Sequence, residues 1–483
     1  MVPWVREELK TADLKDKRLN DRLGEVLSQL AAQPTASIPA ACGGHAEMAA
    51  AYRLFDNDKA SWERILEPHR DATRHRLRAQ PVVVLVQDTT DVELTRPGQQ
   101  VAGTGPLHGA SRRGALLHLL HAFTPDGTPL GTLAAKTWVR DEETLASAPQ
   151  RRVRRRHAAV EAKESYRWVE SLRQARAEAA RLPGASVVCV ADSEADLYEL
   201  LMEGQAQPHA ADWIVRACQN RAVCPGTIGP SAASLRDALA TQPRLLTHTV
   251  TVRGRTAKVA CNHRVREQAR IERSTEVEVR AACVTLRPPW RAGRRLPPLS
   301  VHVVWVRELA PPEGEAPVEW LLLTSLPIER VDQVRCVVQY YCTRWMVEVF
   351  FRTLKTGCRV QERRFEHLDR LARCLALYLI VTWRTLYVCR LGRECPDLSC
   401  EAVFEPAEWK AVYRVVRGRT PPAQPPHLGE MVRLVAQLGG YVSRRRPDTP
   451  GPQTVWLGLT RMHDFALCWK LFGPDAQVKS QLV

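Results

Sequence analysis

Apolar residues recur at three- and four-residue spacing between residues 11 and 75, which predicts a run of helices. In LKDKRLNDRLGEVLSQLAAQ, Leu19, Leu23, Val26, Leu27 and Leu30 fall on one helical face, and Lys15, Lys17, Arg18 and Arg22 populate the rest. The helical period then ends. PVVVLVQDTT is a continuous apolar run and predicts a buried strand closing in polar residues. GALLHLLHAFTPDGTPLGTLAAKTWV predicts a hairpin turning at PDGTP, where Pro, Asp and Gly favour a tight reversal. A helix is expected around AAVEAKESYRWVESLRQARAEAARL, and a second buried strand at ASVVCVAD.

From about residue 206 to 317 the pattern changes. LLTHTVTVRG, TEVEVRAACVTL and LSVHVVWVREL alternate apolar and polar residues, with Pro and Gly between them, as a β-rich insertion would. EWLLLTSLPI predicts one more buried strand, and YYCTRWMVEVFFRTLK, residues 340 to 355, a helix. On an uninterrupted helix Tyr341, Arg344, Glu348, Arg352 and Lys355 share one narrow polar stripe, with Met346, Val347, Phe350 and Leu354 opposite. RGRTPPAQPPH reads as a Pro-rich linker, and a short mixed C-terminal region begins near 428. Strand, hairpin, helix, strand, insertion, strand, helix: the order defines an α/β domain interrupted once.

The composition narrows the partners. The chain has 483 residues, 45% of them apolar, and a formal charge of +16, so it is globular and suited to a polyanion, nucleic acid first. The block RRVRRRH at 151–157 concentrates that charge. MVPWVREELK lacks the apolar core of a signal peptide, and CLALYLIVTW is too short a run to span a bilayer. A soluble intracellular protein, with no membrane partner, is expected. The 14 cysteines show no paired C-x-x-C pattern, so zinc is disfavoured; Cys189 and its like read as reduced core residues.

The chemistry lies in three acids. Asp88 closes the strand VVVLVQ and Asp192 closes SVVCVA. Either alone is an ordinary turn or N-cap residue. Two neighbouring strands lie about 5 Å apart, so two such aspartates can face one ion. Glu348, from a helix packed on that sheet, adds a third hard oxygen donor, a set that suits Mg2+ or Mn2+. Lys355 and Arg344 are positioned as donors to a phosphate, which points to metal-assisted displacement at phosphorus. Spacing leaves open whether Asp88 or Asp91, and Asp192 or Asp196, is the ligand; the first of each pair is nearer the strand end.

The spacing Tyr341-x2-Arg344-x3-Glu348-x6-Lys355 resembles the Tyr-Arg-Glu-Lys signature of the IS four family of bacterial insertion-sequence transposases, the DDE-class group that includes the Tn five transposase. VQDTTDV and VADSEADLY resemble its two aspartate motifs, and point to Asp88 and Asp192. AAAYRLFDN, AKESYRW, VEWLLLTSLPI and LGGYVSRRRPDTPGPQTVWLGL have counterparts as well, so the resemblance runs from about residue 4 to 470. It implies an α/β fold: an RNase H-like catalytic domain interrupted by a β-rich insertion, with N-terminal helical DNA-binding and C-terminal regions. The boundaries expected are 1–75 for the DNA-binding helices, 76–205 and 318–395 for the two parts of the catalytic domain, 206–317 for the insertion, and 396–483 for a C-terminal region suited to dimerisation.

The resemblance further implies two Mg2+ ions, with Mn2+ as a substitute, on Asp88, Asp192 and Glu348. The partners implied are double-stranded DNA, both element ends and target, and a second copy of the chain. The activity implied is nicking, hairpin closure, reopening and joining of 3′ ends, in the bacterial cytoplasm at the nucleoid. The DNA contacts implied are Tyr341, Arg344, Lys355, Arg352 (where the family has a lysine), Trp345, Arg216, and Arg22 with Arg18 at the N-terminal helices. Trp320 matches a tryptophan that receives a flipped base, while His118 reads as structural. Ser193 stands where relatives often carry a basic residue, and RPPWRAGRRLPPL has no counterpart. A plain metal-dependent nuclease of the same fold, and a catalytically silent DNA-binding or inhibitory copy, are the competing readings.

Overall fold

A computed structural model describes residues 1–474 apart from 97, 99, 108, 143–157, 207–210, 227–232, 253, 255–257, 260–264, 268, 292–294 and 444–448. The basic block at 151–157 and parts of the 287–299 and 438–459 motifs therefore lie outside the described residues. The chain divides into two compact units. The first comprises Met1–Gln80, Thr89–Ala148 and Trp345–Val483, and the second Pro81–Asp88 and Pro149–Arg344.

The first unit opens with the expected helices, α1 (Pro3–Glu8), α2 (Lys17–Ala32), α3 (Ile38–Cys42), α4 (His45–Asp56) and α5 (Trp62–Leu77). In α2 the predicted face is the buried one, at Leu23, Val26, Leu27 and Leu30, and Asp16 caps the helix by accepting from the Arg18 N–H. A strand β1 (Val82–Glu93) enters from the second unit and ends here. It does not stop at Asp88 as the sequence suggested. Its last residues are held because the Leu94 N–H donates to Arg113 O at 2.8 Å. Next come β2 (Gly105–Leu107), β3 (Gly109–Phe123) and β4 (Pro129–Trp138), an antiparallel meander that includes the predicted hairpin. Its turn closes because Gly127 takes a φ of +90°, open to glycine, while the Thr124 N–H donates to Thr128 O at 3.0 Å.

In the second unit β1 begins a sheet with β5 (Ser186–Ala191), β6 (Asp212–Arg216), β7 (Leu246–Val252), β10 (Arg273–Leu286), β11 (Leu299–Glu308) and β12 (Glu319–Thr324), in the order β1-β5-β6-β12-β11-β10-β7. A small ribbon, β8 (Lys258–Val259) with β9 (Val265–Glu267), stands apart from it. β1, β5 and β6 are parallel, which their unbroken apolar runs require, since such strands are covered on both faces. The rest are antiparallel. The stretch 206–317 thus supplies β6 to the parallel core, and its later strands extend the same sheet through β12. Helices α6 (Arg167–Ala179), α7 (Tyr198–Gly204), α8 (Leu235–Ala240) and α9 (Val331–Thr343) complete the unit.

The remaining helices belong to the first unit: α10 (Trp345–Arg352), α11 (Leu368–Glu394), α12 (Pro406–Arg417), α13 (Leu428–Leu438) and α14 (Pro452–Phe472). The sequence CLALYLIVTW lies within α11, whose 27 residues are long and apolar enough to cross a membrane by length and composition, contrary to the expectation from that run alone. In this fold 78% of its apolar window is buried, as in a core helix. Helices α12 to α14 pack a second apolar cluster around Trp409, Met431, Leu434 and Val455. There α13 and α14 approach backbone to backbone, because a Cβ on Gly458 would stand 1.8 Å from Val435 O.

The helix around the signature also departs from the expectation. The helix predicted through 340–355 is three segments. α9 ends at Thr343, and the Arg344 N–H folds back to Tyr341 O at 3.1 Å in a tight turn before α10 begins. After Arg352, residues Thr353–Gly357 widen into a π turn, in which the Cys358 N–H reaches Thr353 O at 3.0 Å. Tight and wide turns alter the angular step, so the uniform stripe projected for an ideal helix does not hold. Tyr341 and Arg344 are buried rather than facing outward.

Candidate active site and nucleic-acid interface

The parallel strands of the second unit position the first two acids. β1 and β5 are in register from Val82 opposite Ser186 to Val86 opposite Val190. Continued by two residues, that register sets Asp88 opposite Asp192. Asp192 follows the last residue of β5 in extended conformation and caps a short 3-10 turn, its Oδ1 accepting from the Glu194 N–H at 2.8 Å. Asp88 is reached by the Arg344 guanidinium, Nη1 to Oδ2 at 3.3 Å, in a pair that is 5% and 14% exposed at its side chains.

Other residues singled out in the sequence gather at this end of the sheet. Arg216, the last residue of β6, donates to Ser193 Oγ at 3.1 Å. Trp320 in β12 packs on Tyr341 with ring centroids 5.3 Å apart, and the Arg344 guanidinium lies 5.8 Å from the Tyr341 ring. Burial pushes the Tyr341 hydroxyl above its usual range; Arg216 and Arg344 oppose that rise, and Asp192 adds to it. Tyr341 thus senses three of the selected charged groups within one unit.

Within each pair left open by spacing, the two acids have different surroundings. Asp196 is buried and held on all sides: Arg221 Nε donates to its Oδ1 at 2.8 Å, and the Cys218 N–H to its Oδ2 at 2.8 Å. That is a structural role, and it leaves Asp192 as the candidate. Asp88 and Asp91 are three residues apart on one strand and point to opposite faces. Asp88 alone shares the register with Asp192.

In the first unit Asp91 accepts from Lys355 Nζ at 2.6 Å and from Arg112 Nη2 at 3.0 Å, and Arg112 Nε also reaches Glu93 Oε2 at 2.9 Å. Arg112 escaped the sequence reading. The signal available was a basic pair, SRR, at the start of the predicted hairpin, and the acids of DVE at the end of the strand before it, since opposite charges favour facing positions. Glu348 and Trp345 are half-buried on α10, and Arg352 is exposed there. On α2, Arg22 pairs with Glu25 at 2.9 Å, and Arg18 is exposed beside Asp16. His118 is buried in β3, its Nδ1 2.8 Å from Thr89 Oγ1, as a structural histidine would be.

Two carboxylates on adjacent parallel strands, Asp88 within β1 and Asp192 just past β5, are hard oxygen donors, the kind that Mg2+ and Mn2+ take. They fit a divalent cation as two of the three protein ligands expected. Among the described residues no group of three or more His, Cys, Asp or Glu is gathered closely enough to form a complete site. Each described cysteine is a free thiol, and burial pushes that of Cys189 up to about 12, as for an inert core residue.

Three family models match successive parts of the chain: Transposase DNA-binding over residues 1–60, Transposase DDE domain over 154–383, and Transposase Tn5 dimerisation domain over 380–470. Asp192 and Glu348 fall inside the DDE match; Asp88 precedes it. A cryo-EM structure of the piggyBac transposase synaptic complex with hairpin DNA is distantly similar, at 10% identity, covering 80% of this chain and 71% of that one, with a TM-score of 0.36. A DNA-binding region, a DDE domain and a dimerisation region, in that order, define a DDE-class DNA transposase. Within that class the chain belongs to the Tn5-like transposases, as its signature residues indicated.

Proposed function

We propose that this transposase binds the terminal inverted repeats of its own insertion sequence and moves the element by cut and paste, through phosphodiester hydrolysis, a hairpin intermediate and strand transfer. The observation that supports it most is the pairing of Asp88 with Asp192 across adjacent parallel strands, beside the Arg344 guanidinium. Asp88 and Asp192, with Glu348, are the residues that would hold divalent cations, two Mg2+ or Mn2+ ions. Such ions supply activation of the attacking hydroxyl and neutralisation of charge at phosphorus.

The chain's own groups do the rest. Arg344, Arg216, Lys355 and Arg352 neutralise phosphates and fix the scissile strand. Tyr341 offers a hydroxyl at the same place. Trp320 presents an aromatic face to an extruded base, with Trp345 a second contact on α10. Arg18 and Arg22 on α2 contact the element end, within the region 1–75. The catalytic domain is RNase H-like, in the parts 76–205 and 318–395, interrupted at 206–317. The C-terminal region 396–483 pairs two copies in the complex with DNA. The working place is the bacterial cytoplasm, at the nucleoid.

The test is direct. Purified protein is incubated with a duplex carrying one element end and its flank, with Mg2+ or with EDTA, and products are resolved on a denaturing gel. Hairpin-ended fragments that require Mg2+, and that disappear in Asp88→Asn and Asp192→Asn while the duplex is still bound, are expected. Cleavage by either variant at the wild-type rate removes that aspartate from the site. Cut ends that never join a second DNA would leave a nuclease.

A further inference from the structure

The strand that carries Asp88 does not end there, and its continuation meets a cation expected to bind DNA. β1 runs on through Asp91 and Glu93, which share a face by alternation. Lys355 Nζ donates to Asp91 Oδ1 at 2.6 Å, and each of these side chains is 24% exposed. Arg112 lies on the other side of the same carboxylate, 3.0 Å away, and also holds Glu93. Burial works to raise the Asp91 pKa, but Lys355 and Arg112 outweigh it and keep the group ionised.

We propose that Asp91 is an internal stand-in for a DNA phosphate: it occupies Lys355 in the free protein, and Lys355 engages DNA by exchanging this carboxylate for a phosphate oxygen. The inference rests on the reading of Lys355 as a phosphate contact, and goes beyond it by assigning Asp91 a role in setting affinity. Three features favour exchange over a permanent strut. The partner is an ammonium, a compact charge on a flexible stem that accepts either anion without the fixed geometry of a guanidinium. The pair is open enough for solvent, and so for a phosphate, to reach it. Asp91 is not stranded when Lys355 leaves, because Arg112 stays with it, anchored in turn by Glu93. The lysine itself sits in the π turn Thr353–Gly357, whose flanking Leu354 and Thr353 are buried, so the backbone holds while the side chain swings.

The chemistry sets the expected signature. In the free protein Lys355 and Asp91 cancel. When Lys355 moves to a phosphate, Asp91 remains as an anion near DNA and offsets part of the counterion release. Removing its charge therefore tightens binding and steepens the salt dependence. Dissociation constants for a short duplex carrying the element end are measured over a salt series for wild type, Asp91→Asn, Lys355→Gln and the double variant, with Asp91→Glu as the charge-conserving control. Asp91→Asn is expected to bind about threefold to fivefold tighter, with a log–log salt slope steeper by up to about one. Asp91→Glu should bind as wild type does, and in the Lys355→Gln background the gain should vanish. An equal gain in both backgrounds would mean long-range repulsion and overturn the exchange. No gain from Asp91→Asn, with Lys355→Gln still weakened, overturns the exchange but leaves Lys355 as a DNA contact. Unchanged binding by Lys355→Gln overturns the contact itself.

Discussion

Glu8, at the end of α1, is expected to hold the first helix of the DNA-binding region in place, and Glu8→Ala measures how firmly. The carboxylate is buried. It accepts a bidentate pair from Arg76, Nη1 at 2.8 Å and Nη2 at 3.0 Å, and a third hydrogen bond from His69 Nδ1. The His69 tautomer is set from the other side, because its Nε2 accepts the Thr132 N–H at 3.0 Å. Truncation leaves the buried His69 N–H without its acceptor and the half-buried Arg76 guanidinium without its carboxylate. Three charge-assisted bonds at about 1.5–3 kcal/mol each give an upper range. Arg76 keeps the Leu130 and Thr73 oxygens and its place 4.1 Å from the Trp383 ring centre, which reduces the loss. The expected cost is about 3 kcal/mol, the low end for breaking a buried pair. Urea unfolding followed by tryptophan fluorescence, with Trp383 inside the network, reads it. A loss below about 1 kcal/mol would refute the reasoning.

The same network predicts a pH dependence. Burial works to raise the Glu8 pKa, but His69 and Arg76 together hold it below 4.5. A depressed carboxyl contributes stability that is complete above its unfolded value and is lost as pH falls through the folded one. Burial also holds the His69 pKa below 6.5, against the pull of Glu8. The unfolded chain then takes a proton there before the folded one does, so stability declines from about pH 6.5 downward. Both groups slope the same way. Wild type should lose stability in two acid stages, and Glu8→Ala should lack the lower one.

Asp196→Ala should lower stability by about 3–5 kcal/mol, since it strands the buried Arg221, whereas Asp192→Ala should melt close to wild type; equal melting of the two would contradict the division of roles drawn between them. Gly458→Ala should cost at least about 1–3 kcal/mol, because its Cβ meets Val435 O at 1.8 Å; an unchanged thermal midpoint would show that α13 and α14 can separate freely. DNA affinity should fall steeply with added salt in a filter-binding series, as phosphate contacts from a +16 chain require; a flat response would count against the basic residues as the interface.

What the sequence disclosed and what it withheld follow the range of the interactions. α2 and β1 were readable because burial imposes a period, or an unbroken apolar run, on adjacent residues. The hairpin was readable because Gly127 and its neighbours encode the turn locally. The break at Arg344 and the π turn at Thr353–Gly357 were not: YYCTRWMVEVFFRTLK contains no Gly or Pro, and every residue in it tolerates a helix, so the departure comes from packing rather than propensity. β6 was hidden in a stretch that alternates elsewhere, its three buried residues too few to reveal a parallel partner. The site divides in the same way. Residue type and spacing disclosed which groups suit a metal and a phosphate. They could not disclose that Asp196 is committed to Arg221, or that Asp91 faces Lys355 rather than Asp192, because those pairings join distant parts of the chain. The lysine proposed to meet DNA is already neutralised by Asp91, and only the folded chain determines that partner. Recognition of the signature therefore leaves open how its cations are neutralised in the free chain, and the exchange proposed at Asp91 makes affinity depend on that choice.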